Sequence, residues 1–182
     1  PYRRQRQMCI RDRNKELLKY AQTDALTGLY NKETTEQLTD ELLSEDENKY
    51  HAFLILDVDC FKQINDIYGH AVGDIVLQKF GKLLKGTFRE GDILGRIGGD
   101  EFGVIMKNIQ TKDIAMKKAE ELLAKTQAYK IDELKGNNIS ISIGISTAPQ
   151  DGDCYMDLYK RADQALYQAK RSGKARVCNY FS

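Results

Sequence analysis

Two short acidic stretches hold the residues of this chain that are best suited to chemistry. Gly98–Phe102 (GGDEF) places two adjacent carboxylates, Asp100 and Glu101, directly after two glycines, and Asp57–Asp59 places two more at the end of an apolar run. Glycine adopts backbone angles that other residues avoid, so a phosphate or another backbone can approach closely. A carboxylate at the end of a buried strand needs a partner, because an unpaired buried charge is costly.

If the two acidic stretches lie side by side, their carboxylates form a site for a hard divalent cation. Neither stretch contains an arginine that would neutralise Asp57 or Asp100. Proteins bind Mg²⁺ through one or two carboxylates together with substrate phosphate oxygens. We therefore predict that Asp57 and Asp100 bind Mg²⁺ or Mn²⁺ beside a phosphate-bearing substrate. The alternative for an isolated Gly-Gly-Asp-Glu is a solvated hairpin tip without a ligand.

The elements around these residues are predicted to bring them together. Asp92–Ile97 and Phe102–Met106 are β-prone runs with a glycine-rich connection, which indicates a β-hairpin. His51–Val58 contains an unbroken apolar run and is predicted to form a buried central strand. A helix over Phe61–Asp66 follows this strand, so its N-terminal N–H groups offer a seat for phosphate near the acids.

The remaining periodicity completes an α/β fold. Gly69 and Gly73 are predicted to frame a loop that ends at Asp74, and a long helix then runs to about Phe88. Asn138–Thr147 alternates between isoleucine and small residues, which indicates a half-buried strand. The other predicted elements are helices over Lys32–Glu45, Thr111–Tyr129 and Tyr155–Arg171 and an edge strand over Ala175–Phe181. The expected core is a mixed sheet of about five strands flanked by helices.

The overall composition is that of a globular domain. The chain has 182 residues, of which 41% are hydrophobic and 30% charged, and its net charge is +1. This balance gives no reason to expect contact with nucleic acid or with a membrane. The four cysteines are scattered without CxxC spacing, which is typical of reduced thiols. The apolar runs are strand-sized, so we expect a cytoplasmic domain, and anchoring of a longer protein through other regions stays open.

Five motifs occur in order between residues 24 and 180. They are Asp24–Asn31 (DALTGLYN), Asp57–Asp66 (DVDCFKQIND), Gly69–Asp74 (GHAVGD), Gly98–Phe102 (GGDEF) and Ala162–Lys170 (ADQALYQAK). Together they resemble the GGDEF domain, the family of bacterial diguanylate cyclases. The resemblance implies a polymerase-palm-like three-layer sandwich in which a β-hairpin carries the signature.

The resemblance also divides the chain. Residues 23–182 are assigned to the GGDEF catalytic domain, and residues 1–22 to a basic segment with a short linker helix. Within the basic residues 1–13, the string Arg3–Arg13 looks like translated sequencing-adapter sequence, and the alternative is a basic stalk from an upstream sensor domain. Asn14–Gln22 favours a helix, but one or two turns cannot establish the heptads of a dimeric coiled coil.

The acidic residues acquire metal-binding roles from the resemblance. Asp57 and Asp100 are the expected ligands, and the Val58 carbonyl is a third contact. Glu101 is either a ligand of a second metal or the base that deprotonates the attacking hydroxyl, and both roles suit phosphoryl transfer.

Substrate-binding roles fall on two further groups of residues. Asn65 and Asp74 match the family's guanine-binding positions, and a carboxylate accepts hydrogen bonds from the N1–H and amino groups that guanine offers. Lys170 and Lys174 are four residues apart and would share one side of the last helical turn if the helix continues that far. The expected phosphate contacts are Phe61, Lys62, Lys170 and Lys174.

Arg89 and Asp92 match the RxxD inhibitory motif of the family, which binds the product. The implied activity is Mg²⁺-dependent condensation of two GTP into cyclic di-GMP across a homodimer, with release of two pyrophosphates. An upstream sensor domain is an expected partner. The alternative is a catalytically silent domain that binds GTP or cyclic di-GMP as a regulatory receptor.

Overall fold

The computed structural model of the protein describes residues 21–45 and 49–180. The basic segment and nearly all of the predicted linker helix, Asn14–Gln22, therefore lie outside the described residues. None of the helices within the described ranges is both long and apolar enough to cross a membrane.

A five-stranded mixed sheet forms the centre of the domain, in the order β2-β3-β1-β4-β5. The strands are β1 (His51–Val58), β2 (Ile93–Arg96), β3 (Glu101–Met106), β4 (Ile141–Ala148) and β5 (Val177–Asn179). β1 is antiparallel to both of its neighbours, β3 and β4, whereas β5 is parallel to β4. β2 and β3 form the predicted hairpin. The predicted fold class, a mixed sheet flanked by helices with the signature on a hairpin, is confirmed.

Five helices that lie wholly within the described ranges cover the two faces of this sheet. They are α1 (Lys32–Glu45), α2 (Phe61–Tyr68), α3 (His70–Thr87), α4 (Lys112–Ala128) and α5 (Tyr155–Arg171), with a short 3-10 helix at Asp132–Leu134. The predicted bounds of α1 and α5 are confirmed. Asn31 caps α1, because its side-chain oxygen accepts a hydrogen bond from the Thr34 N–H at 2.9 Å.

Alternate residues of β1 enter two separate hydrophobic cores. Leu54 and Leu56 pack with residues of α3 and α4, whereas Phe53 and Ile55 pack with residues of α1 and α5. This follows from the two-residue period of a strand, which sends successive side chains to opposite faces. All eight residues of β1 are buried, because the sheet is the middle layer of a three-layer sandwich and helices cover both faces of this strand.

The predicted loop before Asp74 is wrong. α3 already begins at His70, and Gly73 and Asp74 lie within it. Gly69 alone reverses the chain between α2 and α3, since its φ of +86° is accessible to glycine at little cost. Gly73 packs closely against Asn65, because a Cβ there would overlap the amide oxygen of that side chain, which would have to shift.

The half-buried strand predicted over Asn138–Thr147 is also wrong in two respects. β4 begins only at Ile141, and all eight of its residues are buried. Its small polar residues face α5 and the end of β1, where hydrogen bonds satisfy them; the Ser146 hydroxyl donates to the Leu158 carbonyl at 2.8 Å. The polar alternation therefore reflects close packing of a helix and not exposure to solvent.

Gly144 permits the closest approach between β4 and α5. A Cβ at this position would overlap the Ala162 carbonyl oxygen and the Leu166 nitrogen, both of which are backbone atoms. We expect Gly144→Ala to lower the free energy of unfolding by about 3 kcal/mol or more, because overpacking against backbone cannot relax cheaply. Gly86→Ala is the matched control, since Gly86 is exposed near the end of α3 with nothing close to its Cβ position. It should gain about 0.5–1 kcal/mol. Urea denaturation measures the free energy of unfolding of both variants. Equal changes in the two would contradict close packing of Gly144 against α5 as the cause.

Candidate active site

The end of β1 and the tip of the hairpin lie next to each other. Asp57 is directly opposite Glu101 in the antiparallel register, and the Val58 N–H donates to the Asp100 carbonyl at 3.2 Å. The Cβ atoms of such opposed residues are typically about 4.5–5.5 Å apart. The structure therefore brings Asp57, Asp100 and Glu101 to one edge of the sheet, as the sequence predicted.

This clustering shifts the protonation of the acids. Burial raises the pKa of Asp57, and the charges of Asp100 and Asp59 raise it further, against a lowering contribution from Lys170. Burial also raises the pKa of Glu101, and the charge of Asp57 adds to that effect. Burial is the largest cause of both raised pKa values and the neighbouring negative charges add to it, so a bound cation would stabilise the ionised carboxylates.

Lys170 supplies one positive charge to this cluster. Its Nζ lies 2.7 Å from Oδ2 of Asp57, although Lys170 was predicted to contact phosphate. The ammonium group reaches the acids from the last turn of α5, and its side chain is 35% exposed. A partly exposed ammonium beside a carboxylate can still bind a phosphate on its open side.

Lys174 lies beyond the end of α5, so the condition on which it would share a helical face with Lys170 is not met. α5 ends at Arg171, and Lys174 has a left-handed φ of 61° in the turn that follows. Its Nζ lies 3.1 Å from the Cys60 sulfur, next to the first residue of α2. The Cys60 side chain does not cap α2. The first turn of α2, which contains the predicted phosphate contacts Phe61 and Lys62, thus lies close to an ammonium group.

The guanine-binding candidates also lie together. The Asn65 amide oxygen is buried and has no hydrogen-bond partner among residues 21–45 and 49–180. It packs against Gly73, and the next residue, Asp74, is exposed. A buried acceptor without a hydrogen-bond partner is costly, so an N–H donor that reached this oxygen would stabilise it.

An ion pair that the sequence did not reveal holds the glycine turn. The Arg96 side chain donates to the Gly99 carbonyl at 2.7 Å through Nη2 and to Asp24 Oδ2 at 3.1 Å through Nη1. Burial by itself would raise the pKa of Asp24, but hydrogen bonds from Thr27 and the charge of Arg96 outweigh it and lower the pKa. Asp24 belongs to one of the five motifs, but only the fold shows that it supports a turn 75 residues away.

Comparison with known protein families identifies the family of this chain. The sequence profile of the family "Diguanylate cyclase, GGDEF domain" matches residues 21–176. The chain belongs to the GGDEF family.

Curated relatives carry the same domain within longer proteins. Diguanylate cyclase A of Treponema denticola is 37% identical over 170 residues, which are 90% of this chain and 46% of that protein. Diguanylate cyclase TpbB of Pseudomonas aeruginosa is 35% identical over 168 residues, 91% of this chain and 39% of that protein. This GGDEF domain thus spans less than half the length of these relatives.

Solved structures share the fold. One is the structure of the coiled coil and GGDEF domain of DgcB from Caulobacter crescentus in complex with c-di-GMP, with a TM-score of 0.86 and 26% identity. The match covers 94% of this chain and 92% of the DgcB chain. The active GGEEF domain of a diguanylate cyclase from Vibrio cholerae has a TM-score of 0.78 at 29% identity, covering 84% of this chain and 97% of its own.

Arg89 and Asp92 of this GGDEF domain form an ion pair at the opposite end of β2 from the glycine turn. Arg89 Nε donates to Asp92 Oδ1 at 3.0 Å, and the same Arg89 side chain donates to the Lys107 carbonyl. Asp92 is only 3% exposed and also accepts from the Lys107 N–H at 3.1 Å. Arg89 is 60% exposed and borders a cavity of about 570 Å³. A ligand in this cavity would contact the Arg89 side chain, and Asp92 would orient that side chain.

The raised pKa of Glu101 predicts a pH-dependent stability in the metal-free domain. The folded state holds the proton of the Glu101 carboxyl group more tightly than the unfolded chain does. Protonated Glu101 therefore contributes to the free energy of unfolding at low pH, and this contribution is lost as pH rises through the pKa of the folded state. In EDTA, we expect Glu101→Gln to melt above wild type at about pH 8, with the difference nearly gone at about pH 4.

Glu120→Gln is the matched control for this comparison, because Glu120 is an exposed glutamate of α4. Its melting temperature should follow that of wild type at every pH. A difference between Glu101→Gln and wild type that does not change with pH would contradict the raised pKa of Glu101 as the cause.

Proposed function

We propose that this GGDEF domain is a diguanylate cyclase, which condenses two GTP into cyclic di-GMP and releases two pyrophosphates. The observation that carries the proposal is the meeting of three acids at the end of β1: Asp57 is directly opposite Glu101 across two antiparallel strands, and the neighbouring Asp100 carbonyl accepts from the Val58 N–H. The curated relatives from Treponema denticola and Pseudomonas aeruginosa, both named diguanylate cyclases, support it.

The donor set fits a divalent cation, Mg²⁺ or Mn²⁺. Carboxylate and carbonyl oxygens are the ligands that these hard ions prefer, and the repulsion among the acids supplies a reason to bind one. Asp57, Asp100 and the Val58 carbonyl would hold it, with Glu101 as a ligand of a second ion or as the base. Such an ion neutralises charge on phosphate oxygens when bound.

The substrate is proposed to be GTP, bound between the acids and the α2–α3 pair. The first turn of α2 receives phosphate oxygens through its N–H groups, and Lys62, Lys170 and Lys174 add positive charge. Asn65 and Asp74 bind the guanine edge, and Asp74 selects against adenine, which offers an acceptor where guanine has N1–H.

Catalysis requires two copies of the domain. The 3′-hydroxyl oxygen of one GTP attacks the α-phosphorus of the other, the bond to pyrophosphate breaks, and the hydroxyl proton passes to a base, for which Glu101 is the candidate. Its raised pKa suits a proton acceptor. In-line attack needs each reacting phosphate to face the other subunit's hydroxyl, so a homodimer is the active form.

Regulation is proposed at Arg89 and Asp92, where cyclic di-GMP would bind and hold two domains in an inactive arrangement. The exposed Arg89 guanidinium can form two parallel hydrogen bonds to a phosphate. An upstream sensor domain would control dimerisation in a longer protein. SiaD of Pseudomonas aeruginosa, a diguanylate cyclase solved with its activator SiaC, is 29% identical to this chain and has a TM-score of 0.80.

Incubation with GTP, with ATP and with their mixture, each with Mg²⁺, tests the activity by product mass. We expect cyclic di-GMP from GTP alone and no mixed dinucleotide. Asp100→Ala should lower turnover by about a hundredfold or more, since it removes a charge at the reacting phosphates. Asp113→Ala, at an exposed acid of α4, is the control. GTP binding without product would instead support the receptor alternative.

Product inhibition provides a separate test of the RxxD site. We expect cyclic di-GMP to slow the wild-type enzyme, and Arg89→Ala to raise the inhibitory concentration by about tenfold or more, because one charge-assisted contact is lost. Lys117→Ala removes an exposed positive charge from α4 and should leave inhibition unchanged. Equal inhibition of Arg89→Ala and wild type would place the inhibitory site elsewhere.

A further inference from the structure

Asp59 is a buried carboxylate that joins three segments of the chain. It is 6% exposed and lies just beyond the end of β1. Its Oδ1 accepts from the Ser142 hydroxyl at 2.7 Å, and its Oδ2 accepts from the Ser140 hydroxyl at 2.7 Å and from the Ala175 N–H at 3.1 Å. One side chain thus ties the end of β1 to the start of β4 and to the turn after α5.

The turn after α5 is conformationally strained. Gly173, Lys174 and Ala175 have successive positive φ angles of 111°, 61° and 48°. A residue with a side chain loses about 1–2 kcal/mol in the left-handed region, and two in succession require outside support. The Lys174 N–H donates to the Ala169 carbonyl at 3.1 Å, and the Ala175 N–H donates to Asp59. Asp59 is therefore one of the groups that hold this turn in its strained form.

The strained turn determines where Lys174 reaches. The Lys174 Nζ lies beside Cys60, the residue that follows Asp59 and precedes α2. A relaxed turn would carry the ammonium group away from the first turn of α2, because every following atom moves with the backbone angles.

We propose that Asp59 is a positioning residue for the substrate's phosphates, and that it acts by holding Gly173–Ala175 so that Lys174 faces the first turn of α2. This inference rests on the proposed function, since it takes a nucleoside triphosphate as the ligand. It gives Asp59 a role different from that of Asp57: both Asp59 oxygens already accept hydrogen bonds from the protein.

The hydrogen-bond pattern predicts which substitutions preserve this role. In Asp59→Asn, an amide oxygen at the Oδ2 position still accepts from Ser140 and Ala175, and the amide nitrogen donates to the Ser142 hydroxyl, which can accept. Asp59→Glu keeps the charge but displaces the carboxylate by one methylene. Asp59→Ala removes all three contacts. Asn should therefore behave like wild type, while Glu and Ala should not.

Calorimetric binding of α,β-methylene-GTP and of GMP, both with Mg²⁺, isolates the contribution of the outer phosphates. We expect Asp59→Ala and Asp59→Glu to weaken binding of the triphosphate by about tenfold, the value of one charge-assisted hydrogen bond, with GMP binding unchanged. Asp151→Ala is the matched control, because Asp151 is 3% exposed and binds Thr147 at the opposite end of β4. If Asp59→Ala does not fold, the Glu and Asn variants decide.

A mutant cycle with Lys174→Ala shows whether Asp59 acts through the lysine. In the Lys174→Ala background, Asp59→Glu should have no further effect on triphosphate binding. The positioning role would be overturned if the losses of triphosphate affinity in Lys174→Ala and Asp59→Glu were additive, or if Asp59→Asn bound the triphosphate as weakly as Asp59→Glu. It would also be overturned if Asp151→Ala lost as much affinity, or if wild type bound both nucleotides equally. If the wild-type domain prefers the triphosphate but forms no cyclic di-GMP from GTP, the cyclase proposal is refuted. The ratio of triphosphate to GMP affinity in the Asp59 variants still tests the positioning role in that case.

Discussion

The opposition of Asp57 and Glu101 across β1 and β3 is the constraint on which this domain's chemistry depends. Like charges directly opposite each other in an antiparallel pair lower stability, and burial increases the effect because the surroundings screen charge poorly. The sheet tolerates this arrangement because β1 is buried along its whole length and is hydrogen-bonded on both sides. Lys170 offsets part of the repulsion through its contact with Asp57.

Supports for the site come from residues that need not touch the substrate. Arg96 and Asp24 hold the Gly99 carbonyl, which limits the freedom of a turn that contains two glycines. Asp59 performs a comparable task for the turn after α5. In both cases a charged group of low exposure makes several hydrogen bonds to other segments, which restricts the turn that it contacts.

The reacting and regulatory candidates occupy opposite ends of the same hairpin. Asp100 and Glu101 lie at the turn, whereas Arg89 and Asp92 lie where β2 begins. A ligand at the RxxD site therefore need not overlap the substrate, and its effect on turnover would have to pass through the contact between two domains. This separation is consistent with the proposal that product restrains the relative placement of subunits and leaves the acidic cluster intact.

Local pattern in the sequence was sufficient for the order of elements, the buried strand β1, the hairpin and the bounds of α1 and α5, because periodicity and glycine placement are properties of neighbouring residues. The motifs were likewise sufficient for the family, and the predicted strand and hairpin for the meeting of Asp57, Asp100 and Glu101. Tertiary structure alone decided that Lys170 contacts Asp57, that Arg96 reaches Asp24, and that Asp59 binds the Ala175 N–H. These contacts join residues far apart in the chain, so they depend on strand register and turn geometry, which no short stretch of sequence specifies.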